Sequence, residues 1–167
     1  MTSTSDAIEK RVGDRLRDRD ETVAVAESCT GGLIGSRLTD IPGASDYFDR
    51  GYVTYAYGSK LRELAVPRET LDEHGAVSEQ TAKAMARGIR DRADTTWGIA
   101  TTGIAGPAGG TEQNPVGTAY IGIAYAAPWD SGESTVSVSR YVFNGDRREV
   151  KQHVATQALT DLFERLQ

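Results

Sequence analysis

Hydrophobic residues recur along this chain either every four positions or in short continuous runs, and each pattern predicts a kind of secondary structure. Near the N-terminus, Ile8, Val12 and Leu16 are four residues apart, with mostly charged and polar residues between them. This spacing predicts an amphipathic helix over residues 5–19. The next hydrophobic run, residues 22–28, is short and rich in β-branched side chains. Such a run is typical of a buried parallel strand.

The same two patterns continue to the C-terminus. Further helices are predicted at residues 33–40, 60–64, 68–74, 78–93 and 145–166. Further strands are predicted at residues 48–55, 95–102, 118–125 and 134–142. Ser78 is expected to cap the helix that it opens. The last helix has an apolar face formed by Val150, Val154, Ala158 and Leu162.

The order of these elements predicts the fold class. Helices and strands alternate first, and two strands then follow one another before the last helix, so those two are expected to pair antiparallel. This order predicts an α/β fold, a three-layer α/β/α sandwich with a mixed, mostly parallel central sheet. No repeat or linker divides the sequence, so residues 1–167 are predicted to form a single domain.

Composition limits the classes of function. A net charge of −5 and 38% hydrophobic residues fit a globular protein and disfavour a nucleic-acid partner, which usually needs a basic surface. No apolar run is long enough to span a membrane, and the charged N-terminus does not resemble a signal peptide. These observations predict a cytoplasmic protein that binds neither nucleic acid nor membrane.

Cysteine and lysine are both scarce. One cysteine and two histidines exclude an internal disulfide and disfavour a structural zinc site, so no metal and no cofactor is predicted. Four lysines stand against fifteen arginines. This bias fits either adaptation to high salt or a GC-rich genome, and the sequence does not separate the two.

Three polar, glycine-rich segments follow predicted strands, and these segments are the candidates for chemistry. They are AESCTGG after the first strand, TYAYGSK after the second and TTGIAGP after the third. In α/β sheets, ligands bind at the carboxyl edge of the strands. Parallel strands would therefore bring all three segments to one pocket.

Ser28 lies where the first strand gives way to a helix. The backbone N–H groups of Cys29, Thr30, Gly31 and Gly32 would be unpaired there and able to bind an oxyanion or another anion. Two alternatives remain open from the residues alone. Ser28 or Thr30 could simply cap the helix. Cys29 could be the nucleophile instead of Ser28, because a helix N-terminus lowers the pKa of a thiol, although a buried, inert cysteine beneath the loop is the favoured interpretation.

Lys60 and Tyr55 are the candidate partners of Ser28. A lysine that is partly removed from water has a lowered pKa and can act as a general base toward a serine. Tyr55 could relay the proton or contact the substrate. A solvated lysine and a packed tyrosine are the alternative interpretation.

The third segment and the start of the last helix supply the candidate substrate-binding residues. These are Thr102, Gly103 and Gly106 in TTGIAGP, whose N–H groups could surround an anion, with a simple tight turn as the alternative. Arg147 and Arg148 could bind a phosphate through their guanidinium groups, with a surface ion pair as the alternative.

Five strings of the sequence together resemble a known family. They are AESCTGG, VTYAYGSK, HGAVSEQTAKAMA, TGIAGPAGGTEQNPVGTAYI and FNGDR. In this order and spacing they are similar to the C-terminal domain of the competence/damage-inducible protein CinA, a family that includes nicotinamide-nucleotide amidohydrolases. The resemblance runs from about Thr22 to the last helix.

The resemblance implies a function and a set of roles. It implies hydrolysis of the carboxamide of nicotinamide mononucleotide to nicotinic acid mononucleotide and ammonia, a homo-oligomer, and a stand-alone form of the domain. It also implies that Ser28 is the nucleophile, that Tyr55 and Lys60 assist it, and that Thr102 and Arg147 bind the substrate. Many family members have Ser-Asn where this chain has Ala56-Tyr57, which affects the expected substrate range. A non-catalytic nucleotide-binding module and a partner-binding domain linked to competence or damage response are the alternatives.

Overall fold

The computed structural model describes residues 6–167, and every predicted helix and strand is present in that range. The helices are α1 (Ile8–Arg19), α2 (Leu33–Thr39), α3 (Tyr57–Leu64), α4 (Arg68–His74), α5 (Glu79–Ala93) and α6 (Arg147–Arg165). The strands are β1 (Val23–Glu27), β2 (Phe48–Val53), β3 (Trp97–Gly103), β4 (Thr118–Tyr125) and β5 (Thr135–Val142). The predicted start of the first helix at residue 5 lies outside the described residues.

One five-stranded sheet with the order β2-β1-β3-β4-β5 forms the centre of the fold. β1 pairs in parallel with β2 and with β3, whereas β4 pairs antiparallel with β3 and with β5. Four strands therefore run in one direction and β4 runs in the other, which confirms the predicted mixed, mostly parallel sheet. The register aligns Glu27 with both Val53 and Thr101. The first three strands consequently end side by side at one edge.

Helices cover both faces of the sheet, which confirms the three-layer sandwich. Val23 and Val25 of β1 face a core that contains residues of α1, α2 and α6. Ala24 and Ala26 face the other core, beneath α3, α4 and α5. Glycines let α5 lie close to the sheet, because a Cβ on Gly98 would come within 2.5 Å of a backbone oxygen of that helix.

Two predictions about the helices are confirmed, the capping residue of α5 and the apolar face of α6. The Ser78 hydroxyl accepts a hydrogen bond from the Thr81 N–H and so caps α5. The predicted apolar face of α6 is buried. Met85 of α5 is also fully buried, so this side chain packs in the core and offers no surface for self-association.

Candidate active site

Ser28 is the first residue beyond β1, and the sheet fixes its backbone. Its N–H donates a hydrogen bond of 3.0 Å to the carbonyl of Thr101, which continues the pairing of β1 with β3. The residue is buried, and its Oγ lies 3.0 Å from Nζ of Lys60. The strand ends thus hold Ser28 in place and direct its hydroxyl toward a buried amine.

Lys60 has no exposed surface, and it reaches Ser28 from α3. Besides the serine, its Nζ contacts the carbonyl oxygens of Thr54 at 2.6 Å and Tyr55 at 3.2 Å. Within residues 6–167 no carboxylate lies within 4.0 Å of this amine. Because burial penalises the charged form, the pKa of Lys60 falls to about 8. The alternative of a solvated lysine is wrong.

The three partners of Lys60 match the hydrogen-bonding capacity of a neutral amine. Such an amine has two N–H donors and one lone pair. The carbonyls of Thr54 and Tyr55 can accept the two donated bonds, and the lone pair can then accept the Ser28 hydroxyl proton. After proton transfer the ammonium has three donors for three acceptors. The site therefore accommodates both protonation states of the lysine.

The loop after Ser28 does not use a hydroxyl to cap α2. The N-cap position is Gly32, with φ of +102°, and it provides no side-chain hydrogen bond. The interpretation of Ser28 or Thr30 as a helix cap is therefore wrong. Gly31 also adopts positive φ, and its N–H donates to the Ser28 carbonyl. This N–H was expected to be unpaired, and that expectation is wrong. The N–H groups of Cys29, Thr30 and Gly32 have no acceptor in the described part of the chain.

Glu27 anchors this loop, a role that was not predicted from the sequence. Its buried carboxylate accepts hydrogen bonds from the N–H groups of Ile34 and Gly35, at 2.9 and 3.0 Å, and from the Thr30 hydroxyl at 2.6 Å. A carboxylate here complements the positive end of the helix dipole. The signal in the sequence was an acidic residue at the end of an otherwise apolar strand.

Cys29 is a core residue, which confirms the interpretation of a buried, inert cysteine and rules out the alternative of a thiol with a lowered pKa. Its side chain is buried in the hydrophobic cluster beneath α1, α2 and α6. Burial raises the pKa of this thiol to about 12, which a hydrogen bond with Thr101 only partly offsets. The thiol is therefore protonated near neutral pH and is a poor nucleophile.

Tyr55 and Arg147 form part of the rim of the site. The Tyr55 side chain is 60% exposed, and its hydroxyl accepts a hydrogen bond of 3.0 Å from Arg147. The same guanidinium donates at 2.7 Å to the carbonyl of Gly106. Arg147 thus ties the segment after β2 to the segment after β3. Only the backbone carbonyl of Tyr55 contacts Lys60, so its hydroxyl has no direct proton path to the amine.

Thr102 and Gly103 have roles within the fold. The buried Thr102 hydroxyl donates to the carbonyl of Ala76 at 2.6 Å, and the Ala76 N–H donates to the Tyr57 hydroxyl at 3.3 Å. A Cβ on Gly103 would lie 2.4 Å from the Thr118 carbonyl oxygen, so glycine permits the close pairing with β4. This hydroxyl holds the segment before α5, and its contact with substrate stays a prediction.

Gly106 also acts through its backbone. Its φ is +85°, and a Cβ would lie 2.4 Å from Val116, so only glycine fits this turn. Its contribution to the site is the carbonyl that accepts from Arg147. Nearby, the buried Thr54 hydroxyl has no partner among the described residues, and no sequence pattern had marked it.

The described residues contain neither a cluster of metal ligands nor a membrane-spanning helix. Residues 6–167 contain no group of three or more histidine, cysteine, aspartate or glutamate side chains that is placed to hold a metal ion. Over the same range, no helix has both the length and the apolar character needed to cross a membrane.

The sequence of this chain is similar to that of known proteins over nearly its whole length. Residues 5–166 match the CinA C-terminal domain. The chain belongs to this family. The CinA-like protein of Chlorobaculum tepidum is 50% identical over 159 residues, which cover 95% of this chain and 37% of that protein. The CinA-like protein of Synechocystis sp. is 48% identical over 162 residues, covering 97% and 38%. The chain thus spans little more than a third of these curated relatives.

Solved structures of CinA proteins share the fold. The competence damage-inducible protein A of Klebsiella pneumoniae is 32% identical with a TM-score of 0.88, over 95% of this chain and 94% of that chain. The competence/damage inducible protein CihA of Agrobacterium tumefaciens is 34% identical with a TM-score of 0.86, over 99% and 100%. The α/β/α sandwich is therefore the fold of the CinA family.

Proposed function

We propose that this chain is an amidohydrolase that converts nicotinamide mononucleotide to nicotinic acid mononucleotide and ammonia. The observation that carries the proposal is the 3.0 Å contact between Ser28 Oγ and the buried amine of Lys60. A serine hydroxyl is a weak nucleophile unless a neighbouring base takes its proton. Lys60, with its pKa near 8 and no carboxylate partner, is such a base.

Acylation begins when Ser28 Oγ attacks the carboxamide carbon and neutral Lys60 accepts the hydroxyl proton. The resulting oxyanion lies near the N–H donors of the loop after Ser28, and one such donor typically contributes about 3 kcal/mol to the transition state. The tetrahedral intermediate then collapses. Lys60 returns its proton to the departing nitrogen, so ammonia leaves and an ester on Ser28 remains.

Deacylation repeats these steps with water as the nucleophile. Neutral Lys60 takes a proton from the water as it attacks the ester carbon. The second tetrahedral intermediate expels Ser28 Oγ, which regains a proton from Lys60. The carboxylic acid product leaves, and both residues return to their starting states. Serine and lysine therefore suffice for the complete reaction, and Tyr55 serves to position Arg147.

The residues at the rim of the site support the proposal of an anionic substrate. Arg147 lies at the rim and has no carboxylate within 4.0 Å in the described part of the chain. The exposed Tyr55 ring beside it offers a surface for stacking a pyridine or sugar ring. Contacts with a remote phosphate would orient the carboxamide at Ser28.

The proposal extends to the working form of the protein, a cytoplasmic homo-oligomer. Val53, Tyr55 and Tyr57 are large hydrophobic side chains that are each more than half exposed. Val53 ends β2, which is an edge strand of the sheet, Tyr55 follows it, and Tyr57 begins α3. Light scattering after size exclusion tests this part, because a mass equal to one chain at micromolar concentration would contradict it.

The proposed activity is tested by ammonia release from nicotinamide mononucleotide with the purified chain and its Ser28→Ala variant. We expect turnover by the native chain and loss of turnover in the folded variant. If the nucleotide raises the Tm of the chain but is not hydrolysed, the chain is a nucleotide-binding module and not an enzyme. If the nucleotide produces neither thermal stabilisation nor turnover, the remaining alternative is a partner-binding domain.

A further inference from the structure

Three buried polar side chains lie beneath the loop that follows Ser28. They are Glu27 at the end of β1, Thr30 in the loop and Thr101 on β3, and each is no more than 1% exposed. The Thr30 hydroxyl donates to the Glu27 carboxylate at 2.6 Å and lies 2.8 Å from the Thr101 hydroxyl. The side chain of one loop residue is thus held by two strands.

The direction of these hydrogen bonds follows from the chemistry of the three groups. A carboxylate only accepts hydrogen bonds, so the single hydroxyl proton of Thr30 goes to Glu27. Thr101 must then donate its own proton to the Thr30 oxygen. All three groups are buried, so any rotation of the Thr30 hydroxyl out of this arrangement would leave a buried polar group unpaired. The arrangement therefore admits one orientation of Thr30.

The two partners of Thr30 also fix the backbone on either side of it. The Thr101 carbonyl accepts from the Ser28 N–H at 3.0 Å, and the Glu27 carboxylate accepts from two N–H groups at the start of α2. The peptide groups between Ser28 and Thr30 are consequently fixed from both ends. The N–H groups of Cys29 and Thr30 belong to this segment, and neither has an acceptor in the described part of the chain.

We propose that the Thr30 hydroxyl positions the oxyanion donors of the site. Held between its two buried partners, it keeps the N–H groups of Cys29 and Thr30 in place for the oxyanion that forms at Ser28. Donors that are fixed before the reaction need no reorganisation as charge develops, and this lowers the barrier. The inference rests on the proposed function for the role of Ser28 as nucleophile. It adds a residue whose side chain acts on kcat without touching the substrate.

The first experiment replaces the Thr30 hydroxyl and measures ammonia release from nicotinamide mononucleotide. Valine keeps the shape of the side chain but removes both hydrogen bonds, whereas serine keeps the hydroxyl. In Thr30→Val we expect kcat to fall at least about tenfold and KM to change less than about twofold, because only the transition state carries the oxyanion. Thr30→Ser should retain at least about half of the native kcat.

Thr95→Val is the matched control, because Thr95 is also buried and its hydroxyl donates to the Trp97 carbonyl at 2.9 Å. It lies just before β3, at the opposite end of that strand from Thr101. This variant should keep the native kcat although it loses a buried hydrogen bond. An unchanged kcat in Thr30→Val, or an equal loss in Thr95→Val, would overturn the proposal. Thr101→Val, which removes the donor to Thr30, gives the same comparison if Thr30→Val does not fold.

The second experiment uses phenylboronic acid and does not depend on turnover. Ser28 Oγ forms a bond to boron and its proton passes to Lys60, so that the boron becomes tetrahedral and negatively charged, as in the oxyanion intermediate. Boron NMR measures the affinity for this adduct. We expect the adduct in the native chain and in Thr30→Ser, an affinity at least about tenfold weaker in Thr30→Val, and no adduct in Ser28→Ala.

The outcomes of the boronate titration separate this inference from the proposed function. Equal affinity in Thr30→Val and the native chain, or no adduct in the native chain, would overturn the positioning role of Thr30. An adduct that Thr30→Val weakens, together with no hydrolysis of nicotinamide mononucleotide by the native chain, would overturn the proposed function and support the role of Thr30.

Discussion

Nζ of Lys60 and Oγ of Ser28 lie 3.0 Å apart, although 32 residues separate them in the sequence. The parallel pairing of β1 with β2 brings them together, because it aligns Glu27 with Val53 and so places the start of α3 beside the end of β1. The carbonyls of Thr54 and Tyr55 then fix the amine. A buried base thus lies within hydrogen-bonding distance of a hydroxyl, in a chain where the neighbouring thiol is inert.

The pH dependence of the reaction should report Lys60. Its pKa is lowered to about 8 by burial, and only the neutral amine can accept the serine proton. At pH 7 about one tenth of the enzyme is then active, so kcat/KM should rise about tenfold per pH unit below 8 and level off above it. Rates between about pH 6 and pH 10 check this. A flat profile, or one that falls with pH, would contradict the role of the lysine.

Replacement of Cys29 should leave the activity nearly intact. The thiol is buried and its pKa of about 12 keeps it protonated, so it takes no part in the reaction. We expect Cys29→Ala to retain at least about half of the native kcat, with a loss of less than about 2 kcal/mol in the free energy of unfolding. Iodoacetamide should not label the native protein at pH 7.5, as followed by intact mass. Rapid labelling with loss of activity would show that the cysteine is the nucleophile.

The Tyr55→Phe variant separates a positioning role from a proton relay. The variant removes the acceptor of the Arg147 hydrogen bond but leaves the backbone carbonyl that contacts Lys60. Loss of one such bond should lower kcat/KM about 3- to 10-fold, and the pH profile should keep its shape. A fall in kcat of more than about a hundredfold with a changed profile would establish the relay.

Glu27→Gln should destabilise the fold. An amide has one acceptor oxygen, so its NH2 group would face an N–H donor of Ile34 or Gly35. Leaving such buried groups unpaired costs about 1–3 kcal/mol, which should lower Tm by several degrees. Glu69→Gln, at an exposed position of α4, is the control. If calorimetry gives the same Tm for both variants and the native chain, the anchoring role is refuted.

Sequence patterns predicted the fold well because each element carries its own signal. A short run rich in β-branched apolar residues marked β1, and spacing by four marked α1 and α6. The meeting of three polar strand exits also followed from the sequence, because parallel strands end at one edge. Local signals of this kind survive in the structure unless tertiary contacts oppose them.

Individual side-chain roles were predicted less well, since they depend on contacts between distant segments. The hydrogen bond from the Thr102 hydroxyl to the carbonyl of Ala76 was not predicted, because the two residues are 26 positions apart in the sequence. The sequence left open whether Cys29 is an activated thiol or a buried, inert one, and the structure places its side chain in the core. Glu27 was not predicted as an anchor because two of its three partners are the backbone N–H groups of Ile34 and Gly35, which carry no sequence signal. Which partner each of these side chains contacts depends on how the helices and strands pack together.

The most direct test of the account measures ammonia release from nicotinamide mononucleotide in Ser28→Ala, Lys60→Met and the double variant, each shown to be folded by circular dichroism. Residues that act as one unit give non-additive losses. We predict that each single change lowers kcat at least about a thousandfold and that the double variant loses no more than about threefold beyond either. A folded single variant that keeps more than about a tenth of the native rate, or losses that multiply in the double variant, would contradict the assignment of Ser28 and Lys60 as nucleophile and base.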